Sequence, residues 1–200
     1  MRFRCNYSEH VGFYKAHPEM PDYVRDYKPT LDLIERVKAE FPFEMQFCTV
    51  QDEASLFYGV TKDWGQDDLY ILDVDNEPAY EQLKEMIDCP HKDCAGVYPA
   101  FQSVIKNASS IFSLVPSDYK PAWWQIGKFY TLDERPEFLK GAANGCWKIS
   151  KESQKRLTDW RPVKFNEGVD VQICGRIQID WHLHYLIAHH HTTERQRFRL

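Results

Sequence analysis

Apolar residues in this chain fall into two alternating patterns. In some stretches they occupy nearly every position; in others they recur every three or four residues. Met1 to Tyr7 alternates loosely and predicts a short first strand. Residues 8–29 are rich in tyrosine and proline and carry His10 and His17. They predict a long irregular loop, a feature that often carries function in a compact domain. Thr30 is the predicted N-cap of a helix, with Leu31, Ile34, Val37 and Phe41 at helical spacing and Pro42 as its stop. Glu44 to Val50 predicts a strand, Ala54 to Lys62 a second helix, and 64–67 a turn. The central strand follows: Asp68 to Asn76 is a nearly continuous apolar run ending in Asp73-Val74-Asp75. A run of this kind predicts a strand buried on both faces.

The second half is more broken. Pro78 sits at a predicted first helical position, and Tyr80, Leu83, Met86 and Ile87 mark a third helix. Residues 95–98, 111–115 and 125–132 predict strands, and 116–124 a Pro-rich aromatic loop. Gly141 to Gly145 is a small-residue loop feeding a strand through Ile149, after which Ser150 caps a helix through Leu157. Val169, Ile173, Cys174 and Ile177 share a helical face, and a last strand over 183–188 runs into His189-His190-His191. Strand, helix, strand, helix, strand over the first 76 residues predicts right-handed crossovers and a mostly parallel sheet flanked by helices. The expected fold class is therefore α/β, in a single domain spanning 1–200.

Composition narrows the function classes. At 200 residues, 43% hydrophobic and 14% aromatic, the chain has the makings of a folded core. A net charge of −5 gives no broad basic signal for nucleic acid, although Arg195 to Arg199 is locally basic. No window is apolar enough for a membrane span, and the start lacks the apolar core of a signal peptide. Six scattered cysteines suit the reduced thiols of a cytoplasmic protein. Cys89 and Cys94 form the one tight cluster, but no second Cys/His pair follows at finger-like spacing.

The candidate chemistry lies at strand ends. Ligands in open α/β sheets bind outside the carboxyl ends of the strands, where Asp52, Asp73 and Asp75 are expected. Residues two apart on a strand share a face, so Asp73 and Asp75 can converge on Mg²⁺ or Mn²⁺ holding a diphosphate. The same acidic pair also suits a plain turn before a helix, favouring its dipole. His182 and His184 share a strand face, either as paired ligands or as a partly exposed surface. Trp123 and Trp124 are candidates for sugar stacking or for ordinary packing.

From Thr30 to about His191, the order of these motifs resembles the GT-A glycosyltransferases, especially the family-2-like inverting enzymes. The resemblance implies a Rossmann-like nucleotide-diphospho-sugar transferase fold and transfer of a sugar, with inversion, from a nucleotide-sugar donor to an acceptor it does not identify. It implies that Asp52, or Glu53, contacts the nucleotide base, and that Asp73 and Asp75 hold Mn²⁺ or Mg²⁺ with the donor diphosphate. It also implies that Gly141 to Trp147, Gly145 included, lines a pocket. Glu167 and Asp170 match the family's catalytic-base motif with one departure. Gly168 stands where an aspartate should follow Glu167, so Glu167, Asp170 or neither is the base. His189, His190 or His191 matches a further metal ligand. The competing readings are another metal-dependent nucleotidyl or phosphoryl transferase, and a degenerate binding or scaffold protein.

Overall fold

The computed structural model describes residues 1–8, 28–50, 53–74, 76–100, 106–119, 123–158, 168–186 and 189–190. Its centre is a seven-stranded sheet. In chain order the strands are β1 (Arg2–Ser8), β2 (Glu44–Val50), β3 (Leu69–Asp73), β5 (Cys94–Val97), β8 (Phe138–Leu139), β10 (Cys146–Ile149) and β11 (Trp181–Tyr185). They lie side by side as β2-β1-β3-β10-β5-β11-β8. Strands β1, β2 and β3 are mutually parallel, and β5 is parallel to β11. Strand β10 runs antiparallel to both of its neighbours, and β8 antiparallel to β11. The expected mostly parallel sheet is thus partly antiparallel. Periodicity reports burial but not strand direction, which is why the sequence did not show this.

Two smaller sheets flank the central one. Strand β6 (Ala108–Pro116) pairs with β7 (Trp124–Thr131) and with β9 (Gly141–Ala142). Strand β4 (Asn76–Glu77) pairs antiparallel with β12 (His189–His190).

Five helices are described: α1 (Lys28–Glu40), α2 (Glu53–Thr61), α3 (Tyr80–Asp88), α4 (Lys151–Gln154) and α5 (Val169–Ile177). The alternation of β1 and β3 sorts them onto two faces. Phe3, Cys5, Tyr70 and Leu72 join Leu33, Ile34 and Val37 of α1 and Leu83, Met86 and Ile87 of α3. Leu69, Ile71, Trp147 and Trp181 join Val60 of α2 and Ile173, Cys174 and Ile177 of α5. The run Leu69–Leu72 is buried at every position, as its continuous apolar pattern predicts. No helix among the described residues is long and apolar enough to cross a membrane.

Several boundaries move. Helix α1 begins before Thr30, with Pro29 in its first turn, where a fixed φ is already helical and the missing N–H costs nothing. Helix α3 starts at Tyr80, so Pro78 precedes its cap, Ala79. Helix α4 is a single turn, with the Ser150 hydroxyl accepting from the Ser153 N–H at 3.2 Å as expected. The last long strand begins at Trp181 and ends at Tyr185, and the histidine run belongs to a separate strand.

The polar positions of β1 are not solvent-facing. Arg4 is fully buried, beneath the end of α2. Its guanidinium donates to the carbonyls of Gly59, Val60 and Lys62 at 2.9, 2.9 and 2.7 Å, and to Gln46 Oε1 at 2.7 Å. Arg2 donates to the Asp63 carbonyl at 2.8 Å. Gly59 and Val60 lie in the last turn of α2 and Lys62 and Asp63 just beyond it, where carbonyls need outside donors and a cation also complements the helix dipole. Replacing Arg4 with Met should therefore cost about 3 kcal/mol, because several buried acceptors lose their donor together. Arg4→Lys should recover less than half of that, since one ammonium cannot span the fork. Urea unfolding of the two variants measures both effects, and a loss below about 1 kcal/mol for Arg4→Met would contradict this account.

Candidate functional site

Asp73 closes β3 at the carboxyl edge of the parallel strands. Its neighbour in the ladder is Asn6 of β1. The Asn6 main-chain carbonyl accepts the Val74 N–H at 3.0 Å, and its side-chain Nδ2 donates to Asp73 Oδ1 at 2.9 Å. On the other side, the Gly145 carbonyl accepts the Asp73 N–H at 2.9 Å and the Asn76 Nδ2 at 3.4 Å. The Asp73 carboxylate is therefore held by Asn6, and its main chain by the turn that opens β10, to which Asn76 also donates.

Polar atoms with unused capacity gather at this edge. Asn6 and Asn76 are almost fully buried, yet Oδ1 of each has no hydrogen-bond partner among the described residues. The same holds for Asn144 Nδ2, one residue before Gly145. Buried polar atoms are almost always paired, so a group of unpaired ones calls for an explanation. Amide oxygens beside a carboxylate are the hard donors that Mg²⁺ and Mn²⁺ take. Burial pushes the nearby Cys146 thiol up to about 12, with the Asp73 carboxylate adding to the effect.

Two further elements reach this edge. Strands β12 and β4 pair His189 with Glu77 and His190 with Asn76 along the backbone. This pairing brings the main chain of the histidine run beside β4. Helix α1 packs its first turn on the same strand, with the Thr30 hydroxyl donating to the Asn76 carbonyl at 3.4 Å.

Other expected site residues fare differently. Asp52, Asp75, Glu167 and His191 lie outside the described residues, as do the side chains of Glu53, His189 and His190. Strand β3 as described spans Leu69–Asp73. Asp170 sits half-buried in the first turn of α5, its Oδ1 accepting the Val171 N–H at 2.8 Å. Gly168, the departure from the expected Glu-Asp pair, caps this helix at φ 59°. That backbone region favours glycine, so the local turn accounts for the substitution. Trp124 packs against Gly175, where a Cβ would lie 2.2 Å from the indole, and Arg176 lies over the Trp123 ring at 5.6 Å. Both tryptophans are thus engaged in packing. Sequence reasoning passed over Asn6, whose only signal was a polar residue in a strand about to be buried.

Gly145 is fixed by close approach. A Cβ there would stand 2.3 Å from both Asn76 Nδ2 and the Tyr98 hydroxyl. Gly145→Ala should cost about 1–3 kcal/mol by overpacking, read as a lower urea midpoint with unchanged m-value. A variant as stable as the parent would show that this turn is not packed as described.

No protein-family model and no curated protein sequence matches this chain. Similar solved structures exist. A197 from STIV shares 16% identity over 95% of this chain and 85% of its own, at a TM-score of 0.53. A nucleoside-diphosphate-sugar pyrophosphorylase from Vibrio cholerae RC9 shares 10% identity over 98% and 100%, at 0.49. The inositol-1-phosphate CTP transferase from T. maritima shares 13% identity over 92% and 85%, at 0.44. The first likeness concerns the fold alone, and the other two are too distant to carry an argument.

Proposed function

We propose that this chain is a metal-dependent glycosyltransferase that binds a nucleotide-sugar donor at the carboxyl edge of its parallel strands. One observation carries the reading: a carboxylate and two asparagines with unpaired buried amide oxygens stand at the strand ends where an α/β sheet places its ligand. In this proposal Asp73 and Asp75 hold Mn²⁺ or Mg²⁺, with His189 or His191 as a further ligand. The cation, when bound, neutralises the charge that develops on the leaving diphosphate. Asp52 meets the nucleotide base, and the turn at Gly145 walls the sugar pocket. Glu167 or Asp170 accepts the proton of the attacking acceptor hydroxyl. Asn6 orients the Asp73 carboxylate through its side-chain amide, from the ladder position opposite it.

A thermal-shift screen of UDP, GDP, CMP and dTDP sugars, with and without Mn²⁺, tests the reading. A donor near 100 times its Kd stabilises the fold by about 2.7 kcal/mol. For a chain of this size that corresponds to a rise of about 5–10 °C. The expected result is one responsive nucleotide, dependent on metal and silenced by Asp73→Asn. No response to any donor would sink the proposal in favour of a non-catalytic binding protein. Response to a nucleoside triphosphate with release of pyrophosphate would replace it with nucleotidyl transfer.

A further inference from the structure

A second constellation lies away from Asp73, at the start of β5 and along one face of β11. Helix α3 ends at Asp88, leaving Cys89 at its C-cap, and β5 begins at Cys94. Strand β11 runs parallel to β5 and sets His182 opposite Cys94, with His184 two residues on. One ligand atom from each of Cys89, Cys94, His182 and His184 lies within 4.8 Å of all the others. Cys89 Sγ is 3.6 Å from His182 Nδ1, and His182 Nδ1 is 3.2 Å from His184 Nε2. Bond lengths typical of tetrahedral zinc imply ligand separations of about 3.6 Å between sulfur and nitrogen and about 3.4 Å between two nitrogens. The two observed separations match those edges.

We propose that Cys89, Cys94, His182 and His184 form a structural zinc site. Two thiolates and two imidazoles are a full tetrahedral set for a borderline-soft cation, and they leave no open position for substrate. Both cysteines are free thiols. Lys148 of β10 lies opposite Cys94 and donates to the carbonyls of Ile87 and Cys89 at 3.0 and 2.5 Å. Its ammonium offsets the charge of the thiolates. The His91 ring stacks on His182 at 4.1 Å between centroids and limits access of water to the metal. Such a site ties the end of α3 to the paired strands β5 and β11.

The site is separate from the proposed donor site. Strand β10 places Lys148 opposite both Tyr70 and Cys94, so Cys94 is level with Tyr70. Asp73 lies three residues further along β3, about 10 Å at the usual strand rise. The two sites also differ in chemistry, with hard oxygens at one and sulfur and nitrogen at the other.

The test uses the full chain, purified without chelator. Elemental analysis should find one zinc ion per chain. After stripping, added Co²⁺ should give the intense visible bands of a tetrahedral site and a thiolate-to-metal charge-transfer band, both displaced by Zn²⁺. Cys94 is buried in the core, so the diagnostic variants are Cys89→Ser and His184→Gln at half-buried positions. Each should lose the bound zinc and lower the melting temperature, while Asp73→Asn should keep a full zinc complement. A faint octahedral cobalt spectrum in the parent, a Cys89–Cys94 disulfide in its place, or zinc content unchanged in both variants would overturn the proposal. None of these readouts depends on nucleotide binding, so the zinc site stands or falls apart from the transferase reading.

Discussion

Insertion of β10 antiparallel between β3 and β5 is the constraint on which the rest of the structure depends. Without it, the β2-β1-β3 unit and the β5-β11-β8 unit would each present an open edge of unpaired backbone groups. With it, the strand and the residues on either side of it are put to use. Gly145 enters close against Asn76 and Tyr98. Trp147 stacks on Trp181 at 4.7 Å, both rings fully buried across the short Ala95-Gly96 segment. Lys148 caps the carbonyls that end α3, and Ser150 caps α4. One four-residue strand thereby sets the position of the candidate site and of both flanking helix ends.

Polar groups inside this protein are used to fix geometry. Arg2 and Arg4 alternate with Phe3 and Cys5 along β1, and both arginines turn inward to close the end of α2. Gln154 is fully buried and ties Gly65, Asp67 and Ile149 together through one amide. Asp93 accepts from the Ser150 N–H and the Ser153 hydroxyl, holding α4 to the start of β5. Each of these side chains makes hydrogen bonds that offset its burial in a low-dielectric interior, although Arg2 Nε keeps no partner among the described residues. Other buried nitrogens, the Trp147 and Trp181 ring N–H groups included, are likewise unpaired among the described residues. What sets the carboxyl edge apart is that the unpaired buried oxygens there, Asn6 Oδ1 and Asn76 Oδ1, belong to strand-end asparagines near Asp73.

The sheet sorts its chemistry by place. At the carboxyl edge of β1 and β3, strand ends contribute asparagine and aspartate oxygens, donors suited to a hard cation that keeps water or phosphate ligands. Across the sheet, at the start of β5 and along β11, sulfur and imidazole nitrogen come together in a closed set suited to zinc. A labile hard ion and a tightly held soft one can coexist in one small domain because their donor sets do not overlap. Parallel pairing of β5 with β11 creates the second cluster by the same register that buries Ala95, Val97 and Leu183.

The amino-acid sequence by itself determined the elements and the position of the acidic strand end. Period-two alternation and continuous apolar runs mark β1, β2 and β3, helical spacing marks α1, α3 and α5, and the apolar run from Leu69 can end only where Asp73 meets water. These are local consequences of burial, so they can be read locally. The tertiary structure alone decided that β10 reverses direction, because a buried strand has the same pattern whichever way it runs. It alone decided that Arg4 and Asn6 face inward, since a polar residue in a strand signals exposure until a helix end or a carboxylate is packed over it. It alone gathered Cys89 and Cys94 with His182 and His184, which stand far apart in the chain and meet only because β5 and β11 pair in one register. Burial is a property of each position, whereas direction, satisfaction of polar groups and ligand sets belong to pairs of positions that only folding brings together.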